Sequence, residues 1–285
     1  MKPAAILSVG VLLAGLLGWI LSAEEQAVLH SSQTVQLPIA MYHSVTDEGE
    51  SPGAYVISPK RLEEDLQYLN ENGFETVTVS DVIAFVEDGT PLPEKPVMLT
   101  FDDGYYNNYA NAYPLLLRYR MCAVLSPVGT LTEQFTALDE PENEIWSYCT
   151  GWELQEMADS GLVELQNHSY DFHTLSPRKG CLRNSGEALE TYQTVFADDT
   201  QKAQAVFARL GIAEPVCYTY PYGACSEESE QLVKRCGFSA SLGCEEGINR
   251  LIEGDPSQLF RMKRYNRDGR QTTADFWNGV QEAMQ

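Results

Sequence analysis

Val97-Met98-Leu99-Thr100-Phe101-Asp102-Asp103-Gly104 is an apolar run that ends in two carboxylates and a glycine. Asp-Asp-Gly by itself usually marks a turn, because Asp bonds its own backbone and Gly takes a positive φ. Here a buried strand precedes it, and carboxylates at such a place are costly unless they bind something. The run therefore reads as a strand with functional acids at its C-terminal end.

Outward from this strand, short apolar runs alternate with helical patterns. Candidate strands cover 37–43, 75–79, 97–101, 121–127, 163–166, 216–220, 238–242 and 259–264. Ser58-Pro59 opens a helix that ends before Gly73, and Ser80-Asp81 opens a second that closes near Gly89. Further helices are expected over 114–120, 152–159, 189–210, 226–236 and 273–284. Strand-helix alternation repeated in this way implies a mainly parallel α/β sheet. No G-x-G-x-x-G follows the first strand, which favours a closed or nearly closed β/α barrel over a dinucleotide-binding sheet. Residues 129–150 lack strong periodicity and read as a loop over one mouth of that barrel.

The rare residues sit where such a barrel builds its active site. Of the 4 histidines, His43, His168 and His173 fall at or just past the C-terminal ends of expected strands, as Asp102 and Asp103 do. In a β/α barrel these ends converge on one rim. His30 reads as a solvated surface residue. His168 and His173 taken singly could be satisfied core histidines. With an acidic partner they suit a two-histidine, one-carboxylate metal site, which leaves positions open for water and substrate.

Composition narrows the function classes. The 285 residues carry 19 Lys+Arg against 41 Asp+Glu, a formal charge of −22. Such a surface repels phosphate backbones, so a nucleic-acid partner is not expected. Arg261, Lys263, Arg264, Arg267 and Arg270 form a local basic run, read here as a solvated strand end and turn. The 7 cysteines form no C-x-x-C pair, which argues against a thiolate zinc site. Met1-Lys2 precedes an uncharged run, 3–23, that reads as a signal peptide or an uncleaved membrane anchor, an N-terminal apolar helix. Either reading places the rest of the chain outside the cytoplasm. The polar stretch 24–36 reads as a linker, and 37–285 as the catalytic domain.

Four motifs resemble the polysaccharide deacetylase (NodB-homology) family. Val97–Gly104 resembles its first motif, Asn167-His168-Ser169-Tyr170-Asp171-Phe172-His173 its second, and Tyr218-Thr219-Tyr220-Pro221-Tyr222-Gly223 its third. Met41-Tyr42-His43-Ser44 is similar to an N-terminal motif of the branch that includes exported poly-N-acetylglucosamine deacetylases. The resemblance spans about 37–280 and implies a distorted, incomplete β/α barrel of seven or eight units.

It also implies metal-dependent removal of N-acetyl groups from an extracellular or cell-wall amino-sugar polymer, which would be the chain's partner. Asp102 would be the general base. Asp103, His168 and His173 would hold one divalent metal ion, zinc first, with nickel, cobalt or iron as alternatives. Pro221-Tyr222 would turn a backbone N–H toward the oxyanion. Thr219 stands where the family's third motif usually has an arginine, and no histidine occurs over 259–266, where most members place their general acid. The branch with Met-Tyr-His implies His43 for that role. Tyr105, Tyr106, Tyr170 and Trp146 are candidates for stacking on sugar rings. Two other readings remain: hydrolysis of another acetylated polysaccharide such as xylan, or carbohydrate binding without catalysis by a membrane-tethered protein.

Overall fold

Twelve strands order the described residues of this computed structural model, which are 33–49, 51–138 and 142–285. The apolar run 3–23 and most of the polar stretch lie outside them, so the N-terminal helix expected there does too. In chain order the strands are β1 Thr34–Leu37, β2 Ile39–Tyr42, β3 Ser44–Val45, β4 Val56–Ile57, β5 Glu75–Thr76, β6 Pro96–Asp103, β7 Ala123–Pro127, β8 Val163–Leu165, β9 Cys217–Thr219, β10 Ala240–Leu242, β11 Asn249–Ile252 and β12 Tyr265–Asn266. The helices are α1 Pro59–Glu71, α2 Val79–Asp88, α3 Tyr113–Tyr119, α4 Gly129–Thr136, α5 Gly151–Asp159, α6 Leu189–Arg209, α7 Glu227–Arg235 and α8 Thr273–Ala283.

The main sheet runs β12-β2-β6-β7-β8 with β5 beside β6, and every pairing given in it is parallel. A parallel bridge from Asn167 to Tyr218 leads from the end of β8 to β9, which pairs with β10. A second bridge, Leu242 to Met262, leads from β10 toward β12. The expectation of a mainly parallel α/β fold is met.

Strand alternation explains how β6 serves two cores at once. All of β6 is buried. Val97, Leu99 and Phe101 pack with Leu62 and Leu66 of α1 and Trp277 of α8. Met98 packs with Ile39, Val124, Cys217 and Leu242, one residue from each of four strands, with Met262 before β12, and with Val82 and Phe85 of α2. By the same alternation Thr100 and Asp102 face the second group's side. Asp102 is therefore aimed into the space the strands surround.

Several boundaries moved. Residues 129–150 begin with a helix, α4, rather than a loop. The strand expected over 75–79 stops at Thr76, because Thr78 is an N-cap: its side chain accepts from Asp81 N, and Asp81 accepts from Thr78 N. The strand expected over 259–264 is displaced to β12, after a 3₁₀ turn at Pro256–Leu259. The stretch read as linker ends in β1. Pro59 at the first turn, Ser58 as N-cap and Gly89 at the helix end are as the sequence predicts, while Ser226, expected inside its helix, is the N-cap.

Candidate active site

The expected residues meet at the C-terminal ends of the parallel strands. A cavity of about 410 Å³ opens there, lined by His43 past β2, Asp102 and Asp103 on β6, Tyr105, His168 past β8, His173, and Tyr222 past β9. Met41, Tyr55, Cys244 and Asn266 complete its wall.

Asp103 occupies a left-handed conformation, φ 70°, and Gly104 follows at φ 75°. A Cβ on Gly104 would lie 2.7 Å from Pro127 Cβ, so glycine is required there on two counts. The turn reading of Asp-Asp-Gly thus holds, and the same turn carries Asp103 to the two histidines. Asp103 Oδ1 lies 3.2 Å from His168 Nε2 and 3.1 Å from His173 Nε2. Burial would raise Asp103, but the two imidazoles outweigh it and hold the carboxyl well below its ordinary value.

The tautomer of His168 decides what these atoms fit. Its Nδ1 is 2.8 Å from the Thr219 carbonyl. A carbonyl only accepts, so Nδ1 carries a proton, and Nε2, which faces Asp103, is the nitrogen that would present a lone pair to a cation. Asp103 Oδ1 is buried without a hydrogen-bond partner among the described residues. Nε2 and Asp103 Oδ1 thus face one point, and His173 brings a third ligand atom within 4.8 Å of both. This donor set fits a divalent cation, with zinc, nickel, cobalt and iron all compatible with its two nitrogens and one oxygen.

The segment between the two histidines is pinned from α6. Asp199 accepts from Tyr170 N at 2.9 Å and from Asp171 N at 2.8 Å. Burial pushes Asp199 up to about 6 despite those donors. Asn167 Oδ1 accepts from Ser169 N at 2.7 Å, where the chain turns through a φ of 68°. His173 is then covered by the Tyr222 ring, 4.5 Å between centroids.

Asp102 has a partner that the sequence reading missed. Arg264 donates from Nη1 to Oδ1 at 2.7 Å and from Nη2 to Oδ2 at 2.8 Å. Its Nε donates to the Gly243 carbonyl at 2.7 Å, and Nη1 also reaches Thr100 Oγ1 at 3.1 Å. Burial works to raise Asp102, and the Arg264 charge and hydrogen bonds, joined by His168 and His43, together more than reverse it, so the carboxylate stays ionised. Thr219, in the place of the family's arginine, instead shares a hydrogen bond with Ser126 at 2.7 Å.

The basic run is corrected accordingly. Arg264 is 0% and Arg267 2% exposed, and each is paired with a buried aspartate. Only the flanking cations of that run reach solvent. The sequence held one clue: a carboxylate whose usual arginine is replaced by Thr219 needs a cation from elsewhere.

His43 stands with its ring 4.8 Å from Tyr55, and burial lowers it below its ordinary value despite the pull of Asp102 and Asp103. Its Nδ1 has no partner among the described residues. Tyr105 lines the cavity and stacks on Tyr148 at 4.9 Å. Pro221 is buried at the start of a turn whose Tyr222 has φ 57°.

The structure places the other aromatic candidates away from the cavity wall. Tyr170 bonds Glu133 at 2.6 Å through its hydroxyl, Tyr106 packs toward Tyr109, and Trp146, 53% exposed, lies against Phe135.

A mainly parallel α/β fold with paired carboxylates and histidines at its strand ends defines a hydrolase class. The chain belongs to the polysaccharide deacetylase family, whose model matches residues 89–241. It is 28% identical over 231 residues to a poly-β-1,6-N-acetyl-D-glucosamine N-deacetylase of Escherichia coli K12, an alignment covering 73% of this chain and 34% of that protein. The chain thus spans about a third of that relative's length. A de-N-acetylase from Aggregatibacter actinomycetemcomitans superposes with a TM-score of 0.71 at 25% identity, covering 86% of this chain and 99% of the other. IcaB from Ammonifex degensii shares the fold, with a TM-score of 0.68, 22% identity and coverage of 87% and 97%.

Proposed function

We propose that this chain is a metal-dependent hydrolase that removes N-acetyl groups from an N-acetylglucosamine polymer outside the cytoplasm. One observation carries the reading. A carboxylate held ionised by Arg264 stands beside an open Asp103, His168, His173 set in a cavity. Binding alone needs no such pair of sites. The names of the Escherichia coli and Aggregatibacter relatives support amide rather than ester cleavage.

An acetamide resists hydrolysis because its carbonyl is resonance-stabilised and its amine leaves badly unless protonated. Asp103, His168 and His173 would hold a divalent cation, which supplies Lewis acidity for the carbonyl and acidifies water. Asp102 accepts a proton from the attacking water on a carboxylate oxygen. Arg264 keeps that carboxylate charged and fixes its plane. His43 delivers a proton to the departing amine. The backbone turn at Pro221-Tyr222 offers an N–H to the oxyanion. The bridges at Asn167–Tyr218 and Leu242–Met262 support an incomplete barrel as the scaffold.

Acetate release by the full chain from β-1,6-linked N-acetylglucosamine oligomers, compared with acetylated xylan, tests the substrate. The amide substrate should be turned over at least tenfold more efficiently, a discrimination of about 1.4 kcal/mol. Preference for xylan would reassign the chain as an esterase. An extracytoplasmic place suits the apolar run 3–23, and fractionation of cells expressing the full chain tests it.

A further inference from the structure

Tyr55 is an exposed ring on a fixed backbone. Gly53 to Val56 form a tight turn, with Gly53 N donating to Val56 O at 3.0 Å. Ser44 N donates to the Tyr55 carbonyl at 3.0 Å, and Gly269 N to the Gly53 carbonyl at 2.9 Å. The remaining carbonyl of the turn, Ala54 O, accepts from Asn266 Nδ2 at 2.7 Å. The turn is therefore held from β3 and from the chain at and after β12. Even so, the Tyr55 ring is 60% exposed on the cavity wall, edge-on to His43. A rigid aromatic loses little conformational freedom when a ligand covers it.

Asn266 supplies an independent observation. Its Nδ2 is committed to Ala54 O, which fixes the orientation of the amide. Its Oδ1 is left buried without a hydrogen-bond partner among the described residues, on the wall of the same cavity. An orphaned buried acceptor is costly unless a ligand brings the donor. A flat apolar ring with a hydrogen-bond acceptor at its rim matches a pyranose, which has C–H faces and hydroxyls around its edge. An acetyl group offers neither.

We propose that Tyr55 and Asn266 form a pyranose subsite: the Tyr55 ring covers one face of the sugar that bears the scissile acetamide, and Asn266 Oδ1 accepts one of its hydroxyls. The proposal rests on the amino-sugar substrate argued above. It adds how the sugar, rather than the acetyl group, is recognised.

Calorimetric titration of the full chain with β-1,6-linked N-acetylglucosamine oligomers tests it. Tyr55→Ala should bind about tenfold more weakly than wild type, and Tyr55→Phe within about twofold of it. Asn266→Ala should weaken binding about fivefold or more. Equal binding by wild type and Tyr55→Ala overturns the subsite, as does absence of binding by the wild type. Should Tyr55→Ala bind normally yet release acetate slowly, the ring serves His43 and the subsite falls. Should the oligomers bind with the expected pattern while wild type releases no acetate, the subsite stands and the reaction proposed above falls.

Discussion

Asp102 takes two of the N–H groups of Arg264, and both side chains are buried. Removing one partner of a buried pair strands the other, which typically costs about 3–5 kcal/mol. Asp102→Asn should therefore lose about 10²–10⁴ in kcat, since the amide cannot accept the proton, and also lose stability. The double variant Asp102→Asn/Arg264→Met should recover most of the melting temperature and none of the activity. A kcat within a few-fold of wild type in Asp102→Asn would place the base elsewhere. The sequence revealed the aspartate and hid the arginine. Asp102 ends a strongly apolar strand, which is a local signal. Arg264 sits among four other cations, and only a partner 162 residues away tells it apart from them.

The elements hold the site by their ends. The Asp199 carboxylate of α6 fixes Tyr170 N and Asp171 N, between the two histidines. Asp199→Ala should lower metal affinity about 10–100-fold, as loss of an orienting group does; competition against a calibrated chelator measures it, and an unchanged affinity would show the loop to be held otherwise. Gly104→Ala forces a side chain into a left-handed position against Pro127. It should cost at least about 2 kcal/mol in urea denaturation. Helices whose caps are written locally, such as the one opened by Ser58-Pro59, were readable from the sequence. β12 and α4 were not. β12 is two residues long and exists because β2 offers it an edge, while the apolar face of α4 is short and packs on both α5 and α6.

Across the molecule a second buried pair joins distant parts of the chain. Arg267 donates to Asp65 of α1 at 2.8 and 3.0 Å, and Tyr42 of β2 and Thr273 of α8 donate to the same carboxylate. Arg267→Ala should destabilise the fold by about 3–5 kcal/mol in thermal or urea denaturation. A loss below about 1 kcal/mol would mean that Asp65 finds water or another donor. The parallel order of the sheet followed from strand-helix alternation, whereas this tie could not, because its partners are 202 residues apart. The account as a whole turns on the Asp103, His168, His173 set acting with Asp102 on an N-acetyl sugar. Acetate released from β-1,6-linked N-acetylglucosamine oligomers by the full chain, stripped with a chelator and then reloaded with zinc, tests that most directly. The account predicts release that stops on stripping, returns on reloading, and stays absent in reloaded His168→Ala; release undiminished by stripping, or none from the reloaded wild type, would contradict it.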